Sequence, residues 1–387
     1  MRRKLELYLH IPFCAKKCGY CDFLSGPAAV SVQQQYVEQL IKEIACQSAH
    51  FPGCEVVSVY LGGGTPSLLG AKDILGIMNQ VRAVFDWSED AEVTIEANPG
   101  TVTMEKLAAY REGGINRISI GLQSADDREL RELGRIHTYD EFLKTYQRVR
   151  QAGFCNVNVD LMSALPGQTL ESWKSTLKKV ARLKPEHISA YSLAVEEGTE
   201  FYKRYHRRPE LLPDEDEERE MYYSTKQILH DQGYHRYEIS NYAKPGKECR
   251  HNLGYWTGVE YLGLGLGASS YIQGVRFHNE RDLGAYCRIK MDREGAEDRL
   301  HQDVIRLTDR EKMEEFMFLG LRTMKGVSGS EFLKRFGVNM WNVYGEVLDK
   351  LVKNHLIVAD SPYIRLSEFG IDISNYVLSE FLFSSDT

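Results

Sequence analysis

The 387-residue sequence has no apolar run approaching the length that spans a bilayer, and Met1-Arg2-Arg3-Lys4 leads into an alternating stretch instead of a continuous hydrophobic one. An integral membrane protein and a secretory leader are set aside, and residence in the cytoplasm is the expectation. There is little surplus of either charge. Against 48 Lys and Arg stand 55 Asp and Glu, a net of −7, so nucleic acid and anionic membranes find no global basic footprint. A visit to a membrane-bound partner is compatible with this charge without being required by it. No Cys-x-x-Cys-His occurs, so covalent c-type haem attachment is unsupported. A disulfide framework is missing too, since three of the eight cysteines cluster and five are scattered. That usage fits a metal site in a reducing compartment. With 43% hydrophobic residues the chain can bury a large core.

What is present starts with His10-Ile11-Pro12-Phe13-Cys14-Ala15-Lys16-Lys17-Cys18-Gly19-Tyr20-Cys21-Asp22-Phe23. The alternation Leu5, Leu7, Leu9, Ile11 predicts a strand running into it, and its breakers predict a loop. Cys-x3-Cys-x2-Cys gathers three soft thiolates, ligands suited to zinc, copper(I) or an iron-sulfur cluster. Structural zinc closes with four protein ligands, and an ordinary cluster is held by four cysteines; here the next cysteine, Cys46, lies far along a predicted helix. Three cysteines on a cubane leave one iron open. That iron can chelate the amino and carboxylate groups of S-adenosylmethionine (SAM), whose sulfonium a cluster electron then cleaves to a 5'-deoxyadenosyl radical. A zinc site completed by a distant His or Cys stays open as the competing reading, as does a disulfide with a spare thiol.

Downstream, Val32, Tyr36, Val37, Leu40, Ile41 and Ile44 recur at helical spacing and predict a helix over 31–48. The apolar runs 56–61, 93–97, 117–122, 157–161 and 188–193 predict strands, alternating with helices near 71–85, 103–112, 139–152 and 170–182. Counting the first strand, six βα units follow one another. They predict an α/β fold, a parallel sheet curved into an incomplete barrel, since a closed one needs eight. In such folds ligands lie beyond the carboxyl ends of the strands. Those ends carry Gly62-Gly63-Gly64-Thr65-Pro66, whose glycines let amides approach a ligand; Glu96-Ala97-Asn98-Pro99, whose carboxylate suits ribose hydroxyls; Gly121-Leu122-Gln123-Ser124 followed by Gly134-Arg135-Ile136-His137; and Asp160 to Thr169. Packing alone does not explain polar groups and glycines at five consecutive strand ends.

Together, HIPFCxxxCxYC, LGGGTPS, EANP, GLQS with GRxH, and DLMxxLPGQT resemble the radical SAM enzymes, in the branch of oxygen-independent coproporphyrinogen III oxidases and their haem-chaperone relatives. The resemblance implies Cys14, Cys18 and Cys21 as ligands of a 4Fe-4S cluster. It implies Tyr8, Tyr20, Gly63, Gly64, Thr65, Glu96, Gln123, Arg135, Asp160 and Ala194 as SAM neighbours. It also implies either porphyrinogen decarboxylation or haem carriage to acceptor proteins. Two departures favour the carrier: the catalytic members have a fourth cysteine where this chain has Phe23, and a long segment ahead of the cluster where only thirteen residues precede Cys14. The oxidase, an enzyme of porphyrin biosynthesis, is the alternative.

Past Thr199 the rhythm stops. The expected organisation is a barrel over 1–200, an α+β extension over 201–300 and a helical, winged-helix-like domain over 301–387. Pro213 to Glu218 reads as an acidic helix start. In the extension, Cys249-Arg250-His251-Asn252-Leu253-Gly254-Tyr255-Trp256 matches the family's HNxxYW pattern and makes His251 the candidate haem ligand, beside two aromatics that suit an apolar macrocycle. Gly263 to Ser270 is expected as a glycine-rich turn at the barrel mouth. In the last domain a recognition helix would carry Glu346 and Asp349 beside Lys350 and Lys353, so a lid or docking role is expected instead of DNA binding.

Overall fold

The computed structural model describes residues 2–293, 295–360 and 362–383. Six parallel strands, β1 (Arg3–Ile11), β2 (Cys54–Gly63), β3 (Asp86–Ala97), β4 (Arg117–Gln123), β5 (Val157–Ser163) and β6 (His187–Ser192), lie side by side in chain order. Between them run α1 (Val30–Ser48), α2 (Ala71–Val84), α3 (Met104–Glu112), α4 (Asp127–Glu132), α5 (Tyr139–Gln151) and α6 (Leu170–Arg182). The hydroxyls of Thr103, Thr138 and Thr169 cap α3, α5 and α6 by accepting from amides three residues on. The pleat then sorts the strand residues. Leu5, Leu7, Leu9 and Ile11 of β1 are wholly buried in a core that includes Tyr36, Leu40 and Ile44 of α1. Residues of the other parity face a polar lumen: Ser119 donates to Asp160 at 2.8 Å, Asn158 to Ser119 at 2.8 Å and Tyr60 to Glu96 at 2.9 Å.

The chain continues through α7 (Glu200–Tyr205) and α8 (Glu215–Asp231), whose start is capped reciprocally by Asp214 and Glu217, as the acidic run predicts. Next come β7 (His235–Arg236), β8 (Asn241–Ala243), α9 (Arg250–Thr257), β9 (Tyr261–Leu264), β10 (Ser269–Ile272), β11 (Val275–Asn279), α10 (Leu283–Arg288), α11 (Ala296–Leu300) and β12 (His301–Arg306). These strands do not form a unit of their own. They extend the barrel sheet at both edges, in the order β12-β11-β10-β9-β1 to β6-β8-β7, and Leu262, Tyr286 and Leu300 share one core with Leu9. Strands of two to six residues bury their faces only by joining a larger sheet. The expected glycine-rich turn is likewise divided. Its first residues belong to β9, parallel to β1 from Glu6 to Leu9, and the turn that follows is held by Leu266 N donating to the Tyr36 hydroxyl at 3.1 Å.

The helix α9 closes the lumen at the amino-terminal side of the strands. Glu92 accepts from Arg250 N at 3.0 Å and from the Cys249 thiol at 3.4 Å, and Ser58 Oγ lies 2.8 Å from His251 Nδ1. A second core, with Met317, Phe332, Leu348 and Ile364, holds the C-terminal domain: α12 (Asp309–Gly320), β13 (Val327–Ser328), α13 (Gly329–Phe336), α14 (Met340–Lys353), β14 (Ile357–Asp360), β15 (Tyr363–Leu366), α15 (Glu368–Asp372) and α16 (Ser374–Ser379). Its small sheet runs β13-β15-β14 beside three helices, a winged-helix-like arrangement. Among the described residues no helix is long and apolar enough to cross a membrane.

Candidate functional site

The carboxyl ends of the six parallel strands surround a cavity of about 470 Å³ lined by Cys14, Cys18 and Cys21. The cysteine loop leaves β1 and returns on itself: Cys14 N donates to Gly26 O and Gly26 N to Pro12 O, both at 3.0 Å. All three thiols are half-buried and free of disulfides. Thr65 Oγ1 stands 3.8 Å from the Cys14 sulfur and Arg135 Nη1 3.7 Å from that of Cys18. Among the described residues no three His, Cys, Asp or Glu side chains converge as the ligands of one ion. Three thiols presented to one cavity fit a cluster, in which separate irons take separate cysteines.

The Gly62 to Thr65 loop acts differently from the sequence expectation. Its amides are spent inside the protein: Gly63 N donates to Glu96 Oε2 at 3.1 Å, Gly64 N to Ile11 O at 2.8 Å and Thr65 N to Phe13 O at 2.7 Å. The loop is therefore a clamp on the start of the cysteine loop. Gly63 takes φ +110°, a conformation that favours glycine. At Gly64 a Cβ would stand 2.7 Å from Phe13 O and 2.9 Å from Ile11 O.

Glu96 accepts from Tyr60 and from Gly63, and burial, then the charge of Asp160, raises its carboxyl to about 7. Arg135 donates to Asn98 Oδ1 at 2.6 Å and to Gly121 O, and Asn98 in turn donates to Thr65 at 2.8 Å. A guanidinium is thereby fixed between the glycine clamp and the β4 end. Gln123 sits at φ +73°, strained for a side-chain-bearing residue. The neighbouring network supports it: Ser124 and Gln168 both donate to Glu129.

Tyr20, Gly63, Gly64, Thr65, Glu96, Gln123, Arg135, Asp160 and Ala194 all line the cavity with the cysteines. Tyr8 does not. It lies behind Tyr60, ring centroids 6.3 Å apart, with its hydroxyl 3.1 Å from His10 Nδ1. His251 is farther still. It is 1% exposed, with Nδ1 at Ser58, Nε2 3.0 Å from the Tyr255 hydroxyl, and a pKa that burial lowers to about 3. Both ring nitrogens are engaged, so in this geometry His251 pins Ser58 to Tyr255 and stands away from the cluster cavity. Sequence reasoning missed Tyr60, Asn98 and Ser119 as lining residues. The signal was available in part, since Tyr60 and Asn98 lie two residues from Gly62 and Glu96 and share their side of the chain.

The Radical SAM superfamily family matches residues 8–180, and the HemN C-terminal domain family matches 307–373. The heme chaperone HemW of Lactococcus lactis is 36% identical over 382 residues, covering 99% of this chain and 98% of that protein. HemW of Bacillus subtilis is 35% identical, covering 97% and 98%, and that of Escherichia coli K12 35%, covering 98% and 98%. The structure of coproporphyrinogen III oxidase (HemN) from Escherichia coli, described as a radical SAM enzyme, is similar at a TM-score of 0.86 and 25% identity, covering 99% of this chain and 91% of that one.

Proposed function

Because the chain belongs to the HemW family within the radical SAM superfamily, we propose that it is a haem chaperone, holding a 4Fe-4S cluster and SAM and delivering haem to acceptor proteins. The observation that carries this is the match, over nearly the whole length, to relatives named Heme chaperone HemW. Superfamily membership brings the cluster and SAM. When bound, such a cluster supplies an electron and an open iron that chelates SAM. The chain's own residues do the rest: Cys14, Cys18 and Cys21 hold the cluster, Arg135 sets a positive charge beside Cys18, and Glu96, Gln123 and Asp160 face the nucleoside. Haem, its acceptors and the cytoplasm as the working compartment belong to the same reading; the eight free cysteines of the chain favour a reducing environment.

The HemN likeness keeps porphyrinogen oxidation as the second reading. Against it stands Phe23, 57% exposed and lining the cavity where the catalytic branch places a further thiol. Anaerobic reconstitution followed by haem titration is expected to give stoichiometric binding. Incubation with coproporphyrinogen III, SAM and a reductant is expected to yield no product on chromatography; appearance of protoporphyrinogen would replace the chaperone by the oxidase.

Glu96 gives this site a pH signature. A ribose donates its hydroxyls to the ionised carboxylate, and with a pKa of about 7 that form is scarce at pH 6 and dominant at pH 8. Affinity for SAM is expected to rise about tenfold over that interval and to level off above it. The sign for stability is opposite: a carboxyl raised from 4.5 to about 7 costs the ligand-free fold stability as pH climbs through that window. Equilibrium binding at stepped pH checks the first effect, which Glu96→Gln is expected to flatten.

A further inference from the structure

Building on the chaperone reading, we propose that haem is seated in a second cavity, between α9 and the C-terminal domain, and not in the cluster cavity. This second space is about 580 Å³, within the size range of pockets that enclose a cofactor. The two cavities lie on opposite sides of the polar lumen. The cluster cavity has its acidic and basic groups aimed at a cluster and a nucleoside. The second is walled by rings and aliphatic side chains: Tyr255 and Trp256 of α9, Tyr261 and Tyr271 of the edge strands, and Phe316 and Leu319 of α12.

Its charge is as telling as its apolar wall. Arg236, Arg276, Lys312, Lys325 and Arg335 line it against two carboxylates, Glu315 and Glu331. Arg276 is bound to Glu315 through two contacts of 2.8 and 2.9 Å, and Lys312 pairs with Asp309 at 3.1 Å. Lys325 and Arg335, both exposed at the rim, have no carboxylate partner among the described residues. Inside, the Trp256 indole nitrogen is buried without a hydrogen-bond partner. An aromatic slot whose mouth carries two cations that rest on the rings of Tyr363 and Phe336 and meet no carboxylate among the described residues fits a planar apolar molecule with carboxylates on one edge, which is the chemistry of haem with its two propionates.

The same geometry gives the HNxxYW segment a division of labour. Tyr255 and Trp256 face the cavity, while His251 stands behind Tyr255 and holds its hydroxyl at 3.0 Å. Among the described residues no histidine or cysteine lines this space, and the hydroxyls of Tyr237, Tyr255 and Tyr261 are already bonded, so Met324 and the phenol oxygens of Tyr271 and Tyr363 are the groups able to meet the iron. The walls come from two sides, α9 and the edge strands on one and the C-terminal domain, with Phe316, Met324 and Val327 of its core, on the other.

Haem titration of the reconstituted full-length protein tests the assignment with two variants. Leu319→Trp fills the slot from within, and the double variant Lys325→Glu with Arg335→Glu reverses the rim without touching a core. Each is expected to weaken haem binding at least about tenfold, and the rim variant to lose the salt dependence of the parent, with cluster absorbance and the spectral response to SAM unchanged. Parent-like haem affinity in both variants would overturn the seat and leave the chaperone reading standing. Absence of haem binding by the parent protein would overturn both.

Discussion

Cys18→Ser, produced and reconstituted without oxygen, is expected to take up no stable four-iron cluster: its iron and sulfide content and its charge-transfer absorbance fall to background, and SAM no longer perturbs the spectrum. The magnitude follows from the ligand count. A cubane with three cysteines already has one iron without a protein ligand, so removing another leaves two, whereas loss of one ligand from an ordinary four-cysteine site leaves only one. Cys14→Ser and Cys21→Ser are expected to do the same. The other five cysteines are not equivalent, because each has a place elsewhere: Cys54 accepts from Arg3, Cys249 donates to Glu92, Cys155 is exposed, and Cys46 and Cys287 are packed against the main core. Cys155→Ser is expected to retain full cluster content. Metal analysis of the parent is part of the same experiment. Zinc in place of iron would remove the cluster, and with it the reason for an open coordination site.

How much of this was legible before folding depends on the range of the interaction that carries it. The six βα units were readable because each is encoded locally, by a period of two in a strand such as Leu5, Leu7, Leu9, Ile11 and a threonine cap such as Thr138 at a helix start. The cavity followed by a general rule, since strand ends in a parallel sheet converge whatever their separation in sequence. The edge strands were not readable. β7 has two residues and β8 three, and what makes them strands is pairing with β6, a contact that local propensity does not express. The same limit misplaced Gly263, which reads as part of a turn although it pairs with Tyr8 of β1. His251 shows a different limit. A histidine next to two aromatics suggests a ligand, and only the folded chain reveals Ser58 and Tyr255, at opposite ends of its ring, taking both nitrogens. Tyr8, which the family resemblance implies as a SAM neighbour, packs beside Tyr60 and does not itself line the cavity, a depth that strand alternation does not express.

Gly64→Ala is expected to damage the site nearly as severely as loss of a cysteine while removing no ligand. Its amide holds Ile11 O at 2.8 Å, and the added methyl would press on Phe13 O at 2.7 Å, Ile11 O at 2.9 Å and Phe13 N at 2.9 Å. All three atoms are backbone, so no side chain can swing aside, and relief requires the strand end or the clamp to move. Either movement shifts Cys14, which follows Phe13 directly, and breaks the contact of 2.7 Å from Thr65 N to Phe13 O. Overpacking of this kind costs about 1–3 kcal/mol; taken from cluster and SAM binding, that is about a five- to 150-fold loss of affinity. Gly26→Ala is the matched control. It lies in the same loop and pairs with the same segment, yet a Cβ there meets nothing within 4 Å. The expected pattern is a folded Gly64→Ala protein with parent-like circular dichroism, low cluster occupancy and weak SAM binding, beside a Gly26→Ala protein indistinguishable from the parent. Equal cluster content in the two variants would mean that the glycine loop does not clamp the cysteine loop, and that its three glycines serve the ligand directly.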